Sequence, residues 1–168
     1  MKKLIAGILV LFLLPNPALS AELWGPASAG MTIKEVMRVI DDAYRLDEEE
    51  GGRLATRAVE AVRRDDVELA DETFTQRFFF VNGQLSQVTL KLNNTRDFDS
   101  MLPLVDSLTE IMRDRYGQEV DSEMIQAGAM RQAKVGWIDG NRKIRIFLMS
   151  MGEDDSLLNV NYQAYFGG

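Results

Sequence analysis

Carboxylates are the only chemistry-bearing side chains this chain has in quantity: it holds 26 Asp and Glu but no His and no Cys. Without imidazole, the commonest general base, the Ser-His-Asp triad and histidine metal ligation are removed. Without thiols, Cys nucleophiles, Fe–S clusters and thiolate zinc sites go too. What is left is acid–base work by a carboxylate pair, a Lys-activated Ser, or a hard cation held by oxygens. Asp65-Asp66, Asp71-Glu72 and Asp154-Asp155 are adjacent acids that could hold Ca²⁺. None stands in an EF-hand loop, which needs spaced acids, a central Gly and a closing Glu. No Ser is followed three residues on by a Lys, so the Ser-x-x-Lys signature is missing. Ser86 and Lys91 share a strand but, five residues apart, point to opposite faces. Acidic runs usually just solvate a surface. No catalytic residue, metal site or cofactor is assigned.

Aromatic residues interleaved with Arg are the other candidate. Arg77, Phe79, Trp137, Arg145 and Phe147 fall on positions expected to face away from the helices. Sharing one open sheet face, they would form an aromatic-plus-Arg patch with the composition of a binding hot spot. The competing reading places the aromatics, Phe78, Phe79, Phe80, Trp137, Phe147, Tyr162 and Tyr165, in the core beneath the helices.

The elements that must position such a patch follow from periodicity. Thr32-Ile33-Lys34-Glu35 is a capping box, and apolar residues at Ile33, Val36, Met37, Ile40 and Tyr44 predict a helix over 33–45. Residues 41–72 carry twelve Asp and Glu against five Arg, and the Asp47–Gly52 run reads as a solvated loop. Residues 54–69 read as a poorly ordered connection ending in a short strand. Thr73–Val81 and Leu85–Leu92, joined through Asn82-Gly83, predict a β-hairpin, because Asn-Gly suits the positive φ of a type I′ turn. Phe98 to Tyr116 keeps helical spacing, with the helix starting near Ser100 so that Pro103 sits in its first turn, and Gly117 ending it. Residues 118–129 read as a loop, and three strands follow: 131–138, 142–149 and 157–166. The last alternates like the terminal strand of an outer-membrane barrel, but two helices are expected to leave no room for the eight strands a barrel requires. The fold class is therefore α+β: two helix-plus-antiparallel-strand units (α-β-β and α-β-β-β) forming one sheet with helices packed on one face.

The first twenty residues give an expected address. Lys2-Lys3, the apolar run Leu4–Leu14, the breaker Pro15-Asn16-Pro17 and the small residues of Ala18-Leu19-Ser20 match a cleaved signal peptide. Domains are then 1–20, signal peptide, and 21–168, a single periplasmic α+β domain. Losing Lys2 and Lys3 would take the net charge from −7 to −9. Such an acidic domain repels phosphate backbones and anionic lipid, so no nucleic-acid partner and no stable membrane anchor after cleavage are expected.

Gly30-Met31-Thr32-x-x-Glu35-Val36 resembles the helix start of small exported bacterial proteins of the β-lactamase-inhibitor-protein-like group and the SmpA/OmlA-type outer-membrane-assembly lipoproteins. Trp24-Gly25, the Phe-rich strand ending in Asn-Gly-x-Leu, and Arg115-Tyr116-Gly117 are similar to the same group. The chain lacks the lipidated Cys of the lipoproteins and the disulfides of the inhibitor. The resemblance implies a fold and carries no binding residue over. The function expected is that of a periplasmic or secreted, non-enzymatic Gram-negative protein binding an envelope protein through one sheet face. The alternatives are a small hydrolase or lyase using a carboxylate pair, and a Ca²⁺-stabilised module in the acidic loop.

Overall fold

Alternating apolar residues drive half of the described residues into strands, 51% against 18% in helices. The computed structural model describes residues 21–165; the expected signal peptide, residues 1–20, lies outside them. In chain order the elements are β1 (Glu22–Trp24), β2 (Ala27–Ser28), α1 (Ile33–Val39), β3 (Tyr44–Arg45), β4 (Val59–Leu69) and β5 (Glu72–Val81). They continue with β6 (Gln84–Leu92), α2 (Phe98–Tyr116), β7 (Asp121–Ala127), β8 (Met130–Asp139), β9 (Arg142–Ser150) and β10 (Ser156–Ala164). β1 and β2 pair with each other; the other eight strands form one sheet, in the order β3-β4-β5-β6-β10-β9-β8-β7, antiparallel throughout.

This overturns the expected α-β-β and α-β-β-β units. The fold is one large antiparallel sheet with two helices laid on it, and β3, β4 and β7 make the difference. Helix α1 stops at Val39 rather than near 45. Asp41 and Asp42 follow it, where negative charge opposes the helix dipole, and Asp42 turns left-handed at φ 60°. The chain then re-enters as β3. Residues 54–69 hide the eleven-residue β4 because its register shifts twice, between Glu60 and Val62 and between Arg64 and Val67. A bulge turns the strand over. Glu60 and Val62, two residues apart, therefore serve opposite faces: Val62 joins the core while Glu60 meets Arg77. β7, expected as loop, is an edge strand exposed on both faces except at half-buried Ile125, so it has no alternation to read. Contrary to the expectation that two helices leave no room for eight strands, both are present; the sheet stays open, with β3 and β7 as its edges. The segment starting near Leu157 is its central strand β10, paired with both β6 and β9. No described helix is long and apolar enough to cross a membrane.

The hairpin of β5 and β6 forms as its sequence predicts, with Asn82 at φ 49° and Gly83 at φ 77°. One face of the sheet builds the core. Trp137, Ile144, Tyr162, Val88 and Phe78 stand in one row across five strands, each at most 1% exposed. Val36 of α1, Ile40 just after that helix, and Met101, Val105, Leu108 and Met112 of α2 close over the same apolar cluster. Both helices thus cover one face and leave the other free of helix.

One polar side chain is trapped in this core. Gln76 follows Leu90 and Val160 in the next row, is fully buried, and neither its Oε1 nor its Nε2 has a partner among the described residues. A buried amide without hydrogen bonds costs roughly 1–3 kcal/mol. Gln76→Met, nearly equal in volume, is therefore expected to stabilise the fold by about 1–2 kcal/mol. An unchanged or lower urea midpoint for this variant would contradict that.

Candidate functional site: the helix-free sheet face

Strand register alone assembles this face. Its middle row runs Arg63, Arg77, Thr89, Asn161, Arg145, Gly136, Asp121 across β4, β5, β6, β10, β9, β8 and β7. One flanking row carries Thr75, Lys91, Asn159, Phe147, Lys134 and Glu123. The other carries Glu60, Phe79, Gln87, Gln163, Lys143 and Ile138.

At the β4–β5 end the face is closed by a buried carboxylate. The Glu60 side chain has no exposed surface; its Oε2 accepts from Arg77 Nη2 at 2.6 Å and from the Gly52 backbone N–H at 3.1 Å, while Oε1 accepts from Arg63 Nε at 2.8 Å. Burial pushes the Glu60 pKa up, but the two guanidinium groups and the Gly52 N–H outweigh it and hold the carboxyl below its ordinary range. Arg77 also lies 5.1 Å over the Phe79 ring, which is 1% exposed. The Gly51-Gly52 segment seals this end. A Cβ on Gly51 would meet Glu60 O at 2.1 Å, and one on Gly52 would meet Arg77 Nη2 at 2.3 Å, so no other residue fits without movement.

The centre is an amide ladder. Gln87 Nε2 donates to Thr89 Oγ1 at 2.8 Å and to Asn161 Oδ1 at 3.2 Å, Thr89 Oγ1 donates to Asn161 Oδ1 at 2.8 Å, and Gln163 Nε2 donates to Gln87 Oε1. At the β7–β9 end, Gly136 leaves a gap in the row. A Cβ there would meet Asp121 Oδ1 at 1.9 Å; the missing side chain lets Asp121 reach across β8 to within 3.6 Å of Arg145 Nη2.

The five residues singled out by sequence do not form one patch. Arg77 and Phe79 belong to the Glu60 cluster, with Phe79 buried beneath Arg77. Arg145 and half-buried Phe147 stand three strands away, roughly 14 Å at the ordinary strand spacing. Trp137 corrects the expectation outright. It points to the opposite face, under α2, is 1% exposed, and donates its indole N–H to Gly117 O at 3.0 Å. Missed by the sequence reading were Glu60, the amide ladder and the surface cations Lys91 and Lys143. The alternation of Asn159, Asn161 and Gln163 with apolar residues was a visible signal; the pairing of β10 with β6, which turns it into a ladder with Gln87 and Thr89, was not.

Charge is distributed unevenly. The three rows hold six cations, Arg63, Arg77, Lys91, Lys134, Lys143 and Arg145, against Glu60, Asp121 and Glu123, in a chain of net charge −7. Lys91 and Lys143 make no ion pair among the described residues. Beside Lys91 a groove of ≈ 580 Å³ is lined by Arg63, Thr75, Arg77, Asn93 and Asp155 among others. Among the described residues, no three Asp or Glu converge as metal ligands would. No protein family, curated protein or solved structure matches this chain, so the likeness to the inhibitor-like and SmpA/OmlA-type proteins rests on the quoted motifs alone.

Proposed function

We propose that this chain is an exported periplasmic binding protein without enzymatic activity, which takes an acidic envelope protein on the helix-free face of its sheet. The segregation of cations carries the reading. An acidic protein that gathers six Lys and Arg on one face, two of them unpaired, is arranged to attract a negative surface there and to repel one elsewhere. The amide ladder offers donors and acceptors for a polar contact, and Phe147 supplies a half-buried aromatic anchor. Among the described carboxyls, those of displaced pKa, Glu35, Glu60, Asp97, Asp99 and Glu119, are all displaced downward. A general acid needs the opposite displacement, which counts against a carboxylate-pair hydrolase.

The test reverses the two unpaired cations. Lys91→Glu with Lys143→Glu is expected to leave the melting curve unchanged and to lower retention of the envelope partner at least tenfold, the wild-type interaction itself weakening with added salt. Equal retention by wild type and variant from the same envelope extract would remove the proposal.

A further inference from the structure

Three methionines share one corner of the helix-free face. Met149 lies on β9 and Met151 two residues further on, positions that alternate back to the same side of the sheet. The Met151 N–H bonds Asp155 O at 2.9 Å, which keeps this residue within the β9–β10 hairpin. The β8–β9 register pairs Gln132 with Met149. Carried on by two residues, past the bond from Arg131 N–H to Ser150 Oγ at 3.0 Å, it sets Met130 opposite Met151. Ordinary sheet spacing puts the Cβ atoms of that opposed pair about 4.5–5.5 Å apart and those of the Met130–Met149 diagonal about 7–8 Å apart. Met149 and Met151 are about 7 Å apart along the chain. Unbranched stems with three rotatable bonds can bring three sulfurs together inside such a triangle. Met149 Sδ already turns toward β8, where it accepts from Gln132 Nε2 at 3.5 Å.

The surroundings favour a cation. Glu153, Asp154 and Asp155 fill the turn beside Met151, and none of them makes an ion pair among the described residues. Met130 and Met151 are 46% and 59% exposed, so their sulfurs are open to an ion from solvent. We propose that Met130, Met149 and Met151 together bind one soft monovalent cation, Cu(I). Donor chemistry selects it. Hard cations such as Ca²⁺ take oxygen ligands, whereas thioethers are soft, uncharged donors that select Cu(I). The chain has no His or Cys to compete for the ion. The site is separate from Lys91 and Lys143, so it stands or falls independently of the binding reading above.

Ag(I), equal in charge and softness but without redox chemistry under these conditions, is the probe. In chloride-free buffer, native mass spectrometry of the full-length protein is expected to show one Ag(I) per chain, with Ca²⁺ giving no such adduct. Met130→Leu, Met149→Leu and Met151→Leu are near-isosteric and expected to keep the circular dichroism spectrum. Each is expected to weaken Ag(I) binding by at least about tenfold, the loss already seen on removing an outer partner of a metal ligand. Met124→Leu is the control: this exposed methionine lines the groove on the helix side of the sheet and is expected to bind Ag(I) as wild type does. Absence of an Ag(I) adduct at micromolar protein and metal overturns the proposal. So does an adduct that the three variants retain at full affinity, or an equal loss in Met124→Leu.

Discussion

Replacing Trp137 by Ala is expected to cost about 3–5 kcal/mol, the range for deleting a large buried aromatic, against a total stability of about 5–15 kcal/mol for a domain. Trp137 is 1% exposed, stands in the row with Ile144 and Tyr162, and binds Gly117 O through its indole N–H. That bond ties β8 to the C-terminal end of α2, where Gly117 turns out of the helix at φ 80°. Losing the ring therefore opens a cavity and frees the helix end together. Urea unfolding followed by circular dichroism measures it; an unfolding free energy within about 0.5 kcal/mol of wild type, roughly the scatter of surface substitutions, would contradict the placement. A partner lost on this substitution is lost with the fold. Phe147, half-buried on the other face, is the aromatic whose substitution probes binding.

Glu60→Ala is expected to be the next most damaging change, about 2–4 kcal/mol. Removing one partner of a buried ion pair costs about 3–5 kcal/mol, and the partial exposure of Arg63 and Arg77, 27% and 23%, reduces it. The Gly52 N–H also loses its acceptor, so the segment over Phe79 is released. The pH dependence has a definite sign. Glu60 has a folded pKa below its ordinary value of 4.5, so its contribution is fully present above that value and is lost as pH falls through the folded pKa. Glu119, held at about 2 by Arg113, adds a component of the same sign, lost between pH 4.5 and about 2. Wild type should lose stability steadily on acidification. Glu60→Gln should be less stable at pH 7 and lose less below pH 4.5, with the Glu119 component remaining. Parallel stability–pH curves for wild type and Glu60→Gln would show that Glu60 is not the group responsible.

What could be read from the sequence was whatever is local. The capping box appears as drawn, with Thr32 Oγ1 accepting from Glu35 N–H at 3.3 Å and Glu35 Oε2 from Thr32 N–H at 2.8 Å. Asn82-Gly83, and the alternation in β6, β9 and β10, were equally local. What misled was pattern erased by geometry: bulges that turned β4 over, and an edge strand with nothing buried to mark it. The site failed for another reason. Phe79 and Trp137 look alike in an alternating strand, and only the register and the position of α2 place them on opposite faces. Glu60 lay hidden in an acidic stretch where eleven other carboxylates are equally plain to the eye.

The strand order has a consequence for how the molecule is made. β10 is the last of the eight to leave the ribosome, yet it takes an interior place, hydrogen-bonded to β6 on one side and β9 on the other. Until it arrives, the earlier hairpins present two raw inner borders and half a core, and closing them demands contacts between residues about seventy positions apart, such as Tyr162 with Val88. Synthesis and final folding are thereby separated in time, a delay that suits the export proposed for this chain.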